Sequence, residues 1–200
     1  MGLPAKKWNE KSFTYQDYLS WPDEERWEII NGRAYAMSPA PSLKHQNIVS
    51  NLHIKLKTHP ENHCYTGLAP TDVVFDEKNV VQPDVFIVCD RSKLKEQCVE
   101  GAPEVIFEVV SPATEIKDRR EKLRLYERFG VQEYILVYPD REYAELYRLQ
   151  EGKYPAPEIV NWNEVLKVEF LSLEIPLWEI FEKPLPEKEE ASQPSPQKES

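Results

Sequence analysis

Two carboxylates stand inside apolar runs that would ordinarily hold none. Asp84 opens "DVFIV" behind Pro83, and Glu108 interrupts "VIFEVV". Runs of this kind mark strands covered on both faces, where an unpaired charge is strongly unfavourable. Proline donates no N–H and belongs at a strand's beginning or edge, so the regular strand is expected to start near Asp84 and Val85, with the carboxylate at its mouth. Glu108 lies 24 residues downstream, enough for a loop and a return strand. Adjacent strands could therefore bring the two together. Like charges at close range repel unless a cation lies between them, and oxygen ligands favour a hard ion such as Mg²⁺, with Mn²⁺ as a substitute. The plainer alternative is a pair of solvent-facing residues at strand ends.

Lys122 is a third unusual placement. On a helical wheel it falls among Leu125, Tyr126 and Phe129, in the centre of an apolar stripe, whereas Arg120, Glu121, Arg124, Glu127 and Arg128 fall on the other sides. A lysine there can snorkel along the sheet, or its ammonium can reach the carboxylate pair. In the second case the trio suits phosphodiester cleavage: a metal holds a phosphate oxygen and a water, and the lysine offsets charge growing on the phosphorane.

The elements needed to position this trio can be read around it. A short helix is expected near Thr14 to Leu19, then two extended arms around Asn31-Gly32, a strong hairpin signal, with Glu28 on the first arm. Ser42 is placed to cap a helix whose apolar face carries Ile48, Val49, Leu52 and Leu56 together with His45. "TDVVF", "DVFIV" and "EVIFEVV" read as strands, with a loop around Cys98 to Pro103. The helix bearing Lys122 ends at Gly130, and "EYILVYP" and "AELYRLQ" follow as strands before a short "IPLWEIF" segment. The order predicts an α/β fold with a central mixed sheet flanked by helices.

The chain has 200 residues and 40% hydrophobic content, enough for one domain over residues 1–182. Residues 183–200, "KPLPEKEEASQPSPQKES", read as a disordered tail. No run approaches the roughly 18 apolar residues that cross a bilayer. Three cysteines, odd in number and without a CxxC, indicate neither a disulfide framework nor a zinc cluster, and with no signal-peptide pattern at the N-terminus a reducing cytoplasm is expected. The net charge of −10 argues against non-specific adhesion to nucleic acid, but the segment from Lys117 to Arg128 holds six Lys or Arg against three Asp or Glu.

The stretches "WEIINGRAYAMSPAPSLKHQ", "VVQPDVFIV", "GAPEVIFEVVSPAT", "KLRLYERFGVQEYILV" and "AELYRLQ" together resemble the Uma-two family of restriction-endonuclease-like proteins with the PD-(D/E)XK nuclease fold, over roughly Trp27 to Phe181. The resemblance matches Pro83-Asp84 to the "PD" element and Glu108 to the (D/E) position. Val110 stands where the general pattern has lysine, and the family moves that lysine to the following helix, here Lys122. A Mg²⁺-dependent DNA endonuclease is implied, with Asp84, Glu108 and Lys122 catalytic and a homodimer as the expected assembly. Glu28 matches a glutamate of the opening motif and could complete the metal shell or make a strand-end salt bridge. His45 matches the family's "HQ" pair, and with Gln46 and Gln82 could line the substrate mouth; a buried structural histidine is the alternative. Ser111 is expected to cap the Lys122 helix or bond a carboxylate. The rival functions are a non-catalytic protein-binding or regulatory module that keeps the nuclease fold, and a nuclease acting on RNA or structured DNA.

Overall fold

The computed structural model describes residues 12–22, 25–37 and 40–186. A six-stranded sheet forms its centre. It is built from β3 (Tyr65–Leu68), β6 (Val85–Val88), β8 (Val105–Val109), β9 (Glu133–Tyr138), β10 (Tyr143–Arg148) and β11 (Glu158–Asn161), in the order β11-β10-β9-β8-β6-β3. Only β8 and β9 run parallel; the other pairs are antiparallel. Every residue of β6, β8 and β9 is buried, which is why these strands read as continuous apolar runs.

Alternate side chains of the central strands serve two cores. On one face Val85, Ile87, Val105 and Phe107 meet Ile48, Val49, Leu52 and Leu56 of helix α2 (Leu43–Thr58). On the other, Phe86, Val88, Ile106, Tyr134 and Leu136 meet Leu125 and Tyr126 of helix α4 (Leu123–Phe129). The apolar spacing of α2 and its Ser42 cap, which accepts from the His45 N–H, follow the sequence expectation.

A second, five-stranded sheet holds β1 (Trp27–Ile30), β2 (Arg33–Ala36), β4 (Asp72–Asp76), β5 (Asn79–Val81) and β7 (Cys98–Glu100), in the order β2-β1-β5-β4-β7. Asn31 and Gly32 turn the β1–β2 hairpin at φ 52° and 73°, the left-handed pair that matches the twist of the flanking strands. Helix α1 (Tyr15–Tyr18) begins with a Thr14–Asp17 capping box, and its Tyr18 hydroxyl reaches Asp72 of this sheet.

The helix over the second core is not uniform. A turn of α3 (Glu115–Lys117) runs into a π-helical turn, Asp118–Lys122, before α4 continues to Gly130, which closes it at φ 77°. Strands β12 (Val165–Val168) and β13 (Leu173–Pro176) form a small separate ribbon, followed by α5 (Leu177–Ile180).

Four expectations are corrected. The segment taken for a loop after Cys98 contains β7, paired parallel to β4. Cys64 and Cys89 form a disulfide, because the antiparallel register that sets Tyr65 against Val88 sets these two against each other one step further on, with Cα atoms 4.4 Å apart. With that pair made, only Cys98 stays free, and the odd cysteine count no longer speaks for a reducing compartment. Ser111 neither caps the helix through its hydroxyl nor bonds a carboxylate: its Oγ lies 3.1 Å from Thr114 Oγ1. Lys183, assigned to the tail, is held by Glu142 at 2.8 Å; residues 187–200 of that tail lie outside the described residues, as do residues 1–11.

Candidate active site

Pairing between β6 and β8 sets Val85 against Phe107, so one further step sets Asp84 opposite Glu108. Glu108 projects to the face that carries the Lys122 helix, whereas Asp84, at the mouth of its strand, meets His45 of α2. Asp84 is held in place by the Val109 N–H, which donates to its Oδ2 at 2.8 Å. The Asp84 charge is near enough to Glu108 to push its carboxyl upward.

Lys122 does not snorkel. With 3% of its side chain exposed, its Nζ lies 2.8 Å from Glu108 Oε1, 2.9 Å from Glu28 Oε1 and 3.8 Å from Asp118 Oδ1. Tyr126, one helical turn later, donates its hydroxyl to the same Glu108 Oε1 at 2.9 Å. Glu28 is fully buried, and both its oxygens are engaged. Oε1 accepts the Gln82 backbone N–H at 3.1 Å in addition to Lys122, and Oε2 accepts from Lys117. The sequence offered Glu28 a metal shell or a salt bridge; it makes two salt bridges.

His45, near the start of α2, places Nε2 3.4 Å from Asp84 Oδ2, and its Nδ1 is buried without a hydrogen-bond partner. Gln46 is exposed on the next position of the helix. Gln82 is buried, but its side chain is committed elsewhere: it accepts from Arg26 and donates to Asp72 and the Tyr18 hydroxyl. Its tie to the site is the backbone N–H on Glu28.

Three site residues escaped the sequence reading: Lys117, Asp118 and Tyr126. Asp118 had a signal, since it lies four residues before Lys122 and so on the same helical face. It is buried, and its Oδ1 has no hydrogen-bond partner.

The charges are strongly perturbed. Burial would raise the Glu28 carboxyl, but the Lys122 and Lys117 ammoniums outweigh it and hold the group down at about 2. Burial carries Glu108 the other way, to about 8, against the pull of Lys122 and with Asp118, Asp84 and Glu28 pushing in the same direction. Asp118 is also raised, chiefly by burial. Lys122 stays charged: burial opposes its ammonium, yet Glu108, Glu28 and Asp118 lift it well above the usual lysine range. Burial likewise opposes the His45 imidazolium, and the contact with Asp84 more than compensates. Four carboxyl groups therefore share two lysines and one histidine, and the negative charge of Glu108 develops only as its carboxyl, pushed up to about 8, gives up its proton.

A metal held here would have two protein carboxylates at most, those of Asp84 and Glu108. Among the described residues no three His, Cys, Asp or Glu side chains converge on one point. The contacts to Glu108 fall on Oε1 and those to Asp84 on Oδ2, so each carboxylate keeps its second oxygen outside them. Mg²⁺ commonly binds through one or two carboxylates and completes its shell with water and substrate phosphate.

Comparison with known proteins agrees with this architecture. A crystal structure of a "putative nuclease belonging to DUF820" from Anabaena variabilis superposes with a TM-score of 0.70 at 20% identity, covering 85% of this chain and 98% of that one. The fold is the restriction-endonuclease-like α/β arrangement expected from the sequence. In sequence, the chain is 30% identical over 141 residues to "Uncharacterized protein slr1290" of Synechocystis sp. (strain ATCC 27184 / PCC 6803 / Kazusa), covering 66% of this chain and 72% of that protein. The model of the Uma2 family, described as "Putative restriction endonuclease", matches residues 15–177, which include Glu28, Asp84, Glu108 and Lys122, and the chain belongs to that family.

Proposed function

We propose that this chain is a divalent-metal-dependent endonuclease that hydrolyses phosphodiester bonds of DNA, with Asp84 and Glu108 as the metal-holding pair and Lys122 as the catalytic ammonium. The observation that carries this reading is the Lys122 ammonium 2.8 Å from Glu108, on a strand that pairs with the one Asp84 precedes. Mg²⁺ or Mn²⁺ bound there would neutralise charge on the phosphate and lower the pKa of a bound water.

The chain's own groups divide the remaining tasks. The Val109 N–H and His45 orient Asp84 from one side, and Tyr126 orients Glu108 from the other. Lys122, shut away from bulk water, presents a positive charge next to the reacting centre where it acts at low dielectric. Glu28 has both oxygens on ammonium groups, so its task here is to fix lysines rather than to bind the ion. His45 and Gln46 remain at the mouth, beside Asp84, where a phosphate or an ordered water would be met. One such centre cuts one strand, so cutting both strands of a duplex fits a homodimer.

Titration calorimetry with Mg²⁺ and with Mn²⁺, on wild type and Asp84→Ala, tests the assignment alongside cleavage of a DNA duplex and of a matched RNA. Metal uptake and DNA cleavage lost together in Asp84→Ala are the expected result. A wild type that takes up neither ion would favour a non-catalytic module on a nuclease fold, and preferential cutting of RNA would reassign the substrate.

A further inference from the structure

We infer that Lys117 is a second functional ammonium of this site, the one that meets the backbone phosphate of the nucleic acid, and that Glu28 is the clamp that presents it. The inference rests on the nuclease reading above and adds to it a substrate-binding residue. Glu28 holds one lysine on each oxygen, Lys122 on Oε1 and Lys117 on Oε2.

The two lysines are not equivalent. Lys122 is 3% exposed and already engaged by Glu108 and Glu28, with Asp118 3.8 Å away, so its place is inside the centre and not at its entrance. Lys117 keeps 14% of its side chain exposed, and Glu28 is its one hydrogen-bond partner among the described residues. An ammonium has three N–H donors, so two of those on Lys117 stay available.

Its surroundings also limit where it can go. Glu28 cannot move: it is fully buried and tied to the Gln82 backbone N–H as well as to Lys122. The Tyr35 ring lies 6.0 Å from the Lys117 Nζ, the outer reach of a favourable cation–ring contact. Lys117 is the last residue of α3, directly before the π turn that carries Asp118 and Lys122. An ammonium restrained in this way, partly open and held by the same Glu28 that holds Lys122, is positioned to bind a phosphate oxygen by charge-assisted hydrogen bonding.

The test separates substrate binding from support of the fold. Affinity for a fluorescent DNA duplex is measured over a range of salt for wild type, Lys117→Met and Lys117→Arg, with Ca²⁺ as the hard cation and metal affinity followed in parallel by calorimetry. Lys117→Met is expected to weaken duplex binding at least tenfold, to reduce the slope of log affinity against log salt by about one, and to leave metal affinity unchanged. Lys117→Arg keeps the charge and is expected to retain the wild-type slope. Duplex affinity and salt slope unchanged in Lys117→Met would overturn the inference, even if its melting temperature fell, because that pattern belongs to a purely structural lysine. Failure of the nuclease reading itself looks different: the wild type would bind neither metal nor duplex, and the inference would fall with it.

Discussion

Replacing Lys122 by methionine keeps the length and apolar stem of the side chain and removes its charge. The ammonium now lies 2.8 and 2.9 Å from two buried carboxylates, and deleting one member of a buried ion pair typically destabilises by about 3–5 kcal/mol. Glu108 can relieve part of this by taking up a proton, since its carboxyl already sits at about 8. Glu28 cannot follow so readily, but it retains Lys117 and the Gln82 N–H. The loss should therefore be modest, about 1 kcal/mol, where Glu108 is protonated in both proteins, and should grow to about 3 kcal/mol at higher pH. The sign follows from linkage. A carboxyl whose folded-state pKa is raised contributes stability below its unfolded value and loses that contribution as pH rises through the folded value. Without Lys122 that folded value rises further. Between about pH 8 and the new value the wild type ionises while the variant does not, and the gap widens by up to about 1.4 kcal/mol per pH unit. Urea unfolding of both metal-free proteins near pH 6 and near pH 9 measures it. A deficit below about 1 kcal/mol at both pH values, or one independent of pH, would show that Lys122 is not the counter-ion of this cluster.

Glu28 gives the opposite pH signature. Its carboxyl drops from 4.5 to about 2 on folding, so its stabilisation is present above about pH 4.5 and is lost as pH falls toward 2; acid unfolding should be shallower in Glu28→Gln by about 3 kcal/mol over that window. Glu108→Gln should abolish metal uptake in calorimetry with a melting temperature within a few degrees of wild type, because Lys122 keeps Glu28 as a partner. Reducing the Cys64–Cys89 bridge, which joins residues 25 apart, should lower unfolding free energy by about 3 kcal/mol in a comparison with and without reductant. Gly67→Ala should be more damaging than a surface change, since the added methyl would stand 2.2 Å from the Phe86 ring; a denaturation midpoint equal to wild type would contradict that packing.

Asp84, Glu108 and Lys122 were legible in the sequence because each breaks a local apolar pattern, and the physical cost of breaking it points to a partner. Asp118 was harder to see. It sits among Lys117, Arg119, Arg120 and Glu121, where one more charge resembles a solvated helix face, and only the fold shows that it is buried. Glu28 was noticed, but its hydrogen-bond partner Lys117 lies 89 residues away, and no local pattern reports such a contact. The disulfide depended on the β3–β6 register, which spacing between cysteines does not encode. Strands β11, β12 and β13 escaped because each is four residues long, too short for a period of two to stand out from the surrounding sequence.

The π-helical turn acts as a phase shift. Lys117 and Tyr126 are nine residues apart, and at about 100° per residue an uninterrupted α-helix would place them about 180° from each other, on opposite sides. A π turn takes in one extra residue, leaving eight effective steps and an angle of about 80°. Both side chains then reach the same pair of glutamates, Lys117 on Glu28 and Tyr126 on Glu108, with Lys122 between them. A single-residue deletion between Asp118 and Lys122 would leave every functional side chain present and the helix more regular. Eight steps of regular α-helix give the same angle of about 80°, so a chain with a one-position gap in this segment would keep Lys117 and Tyr126 on the same side without the π turn, and it is straightening the turn with every residue retained that would carry Lys117 about 100° off the site.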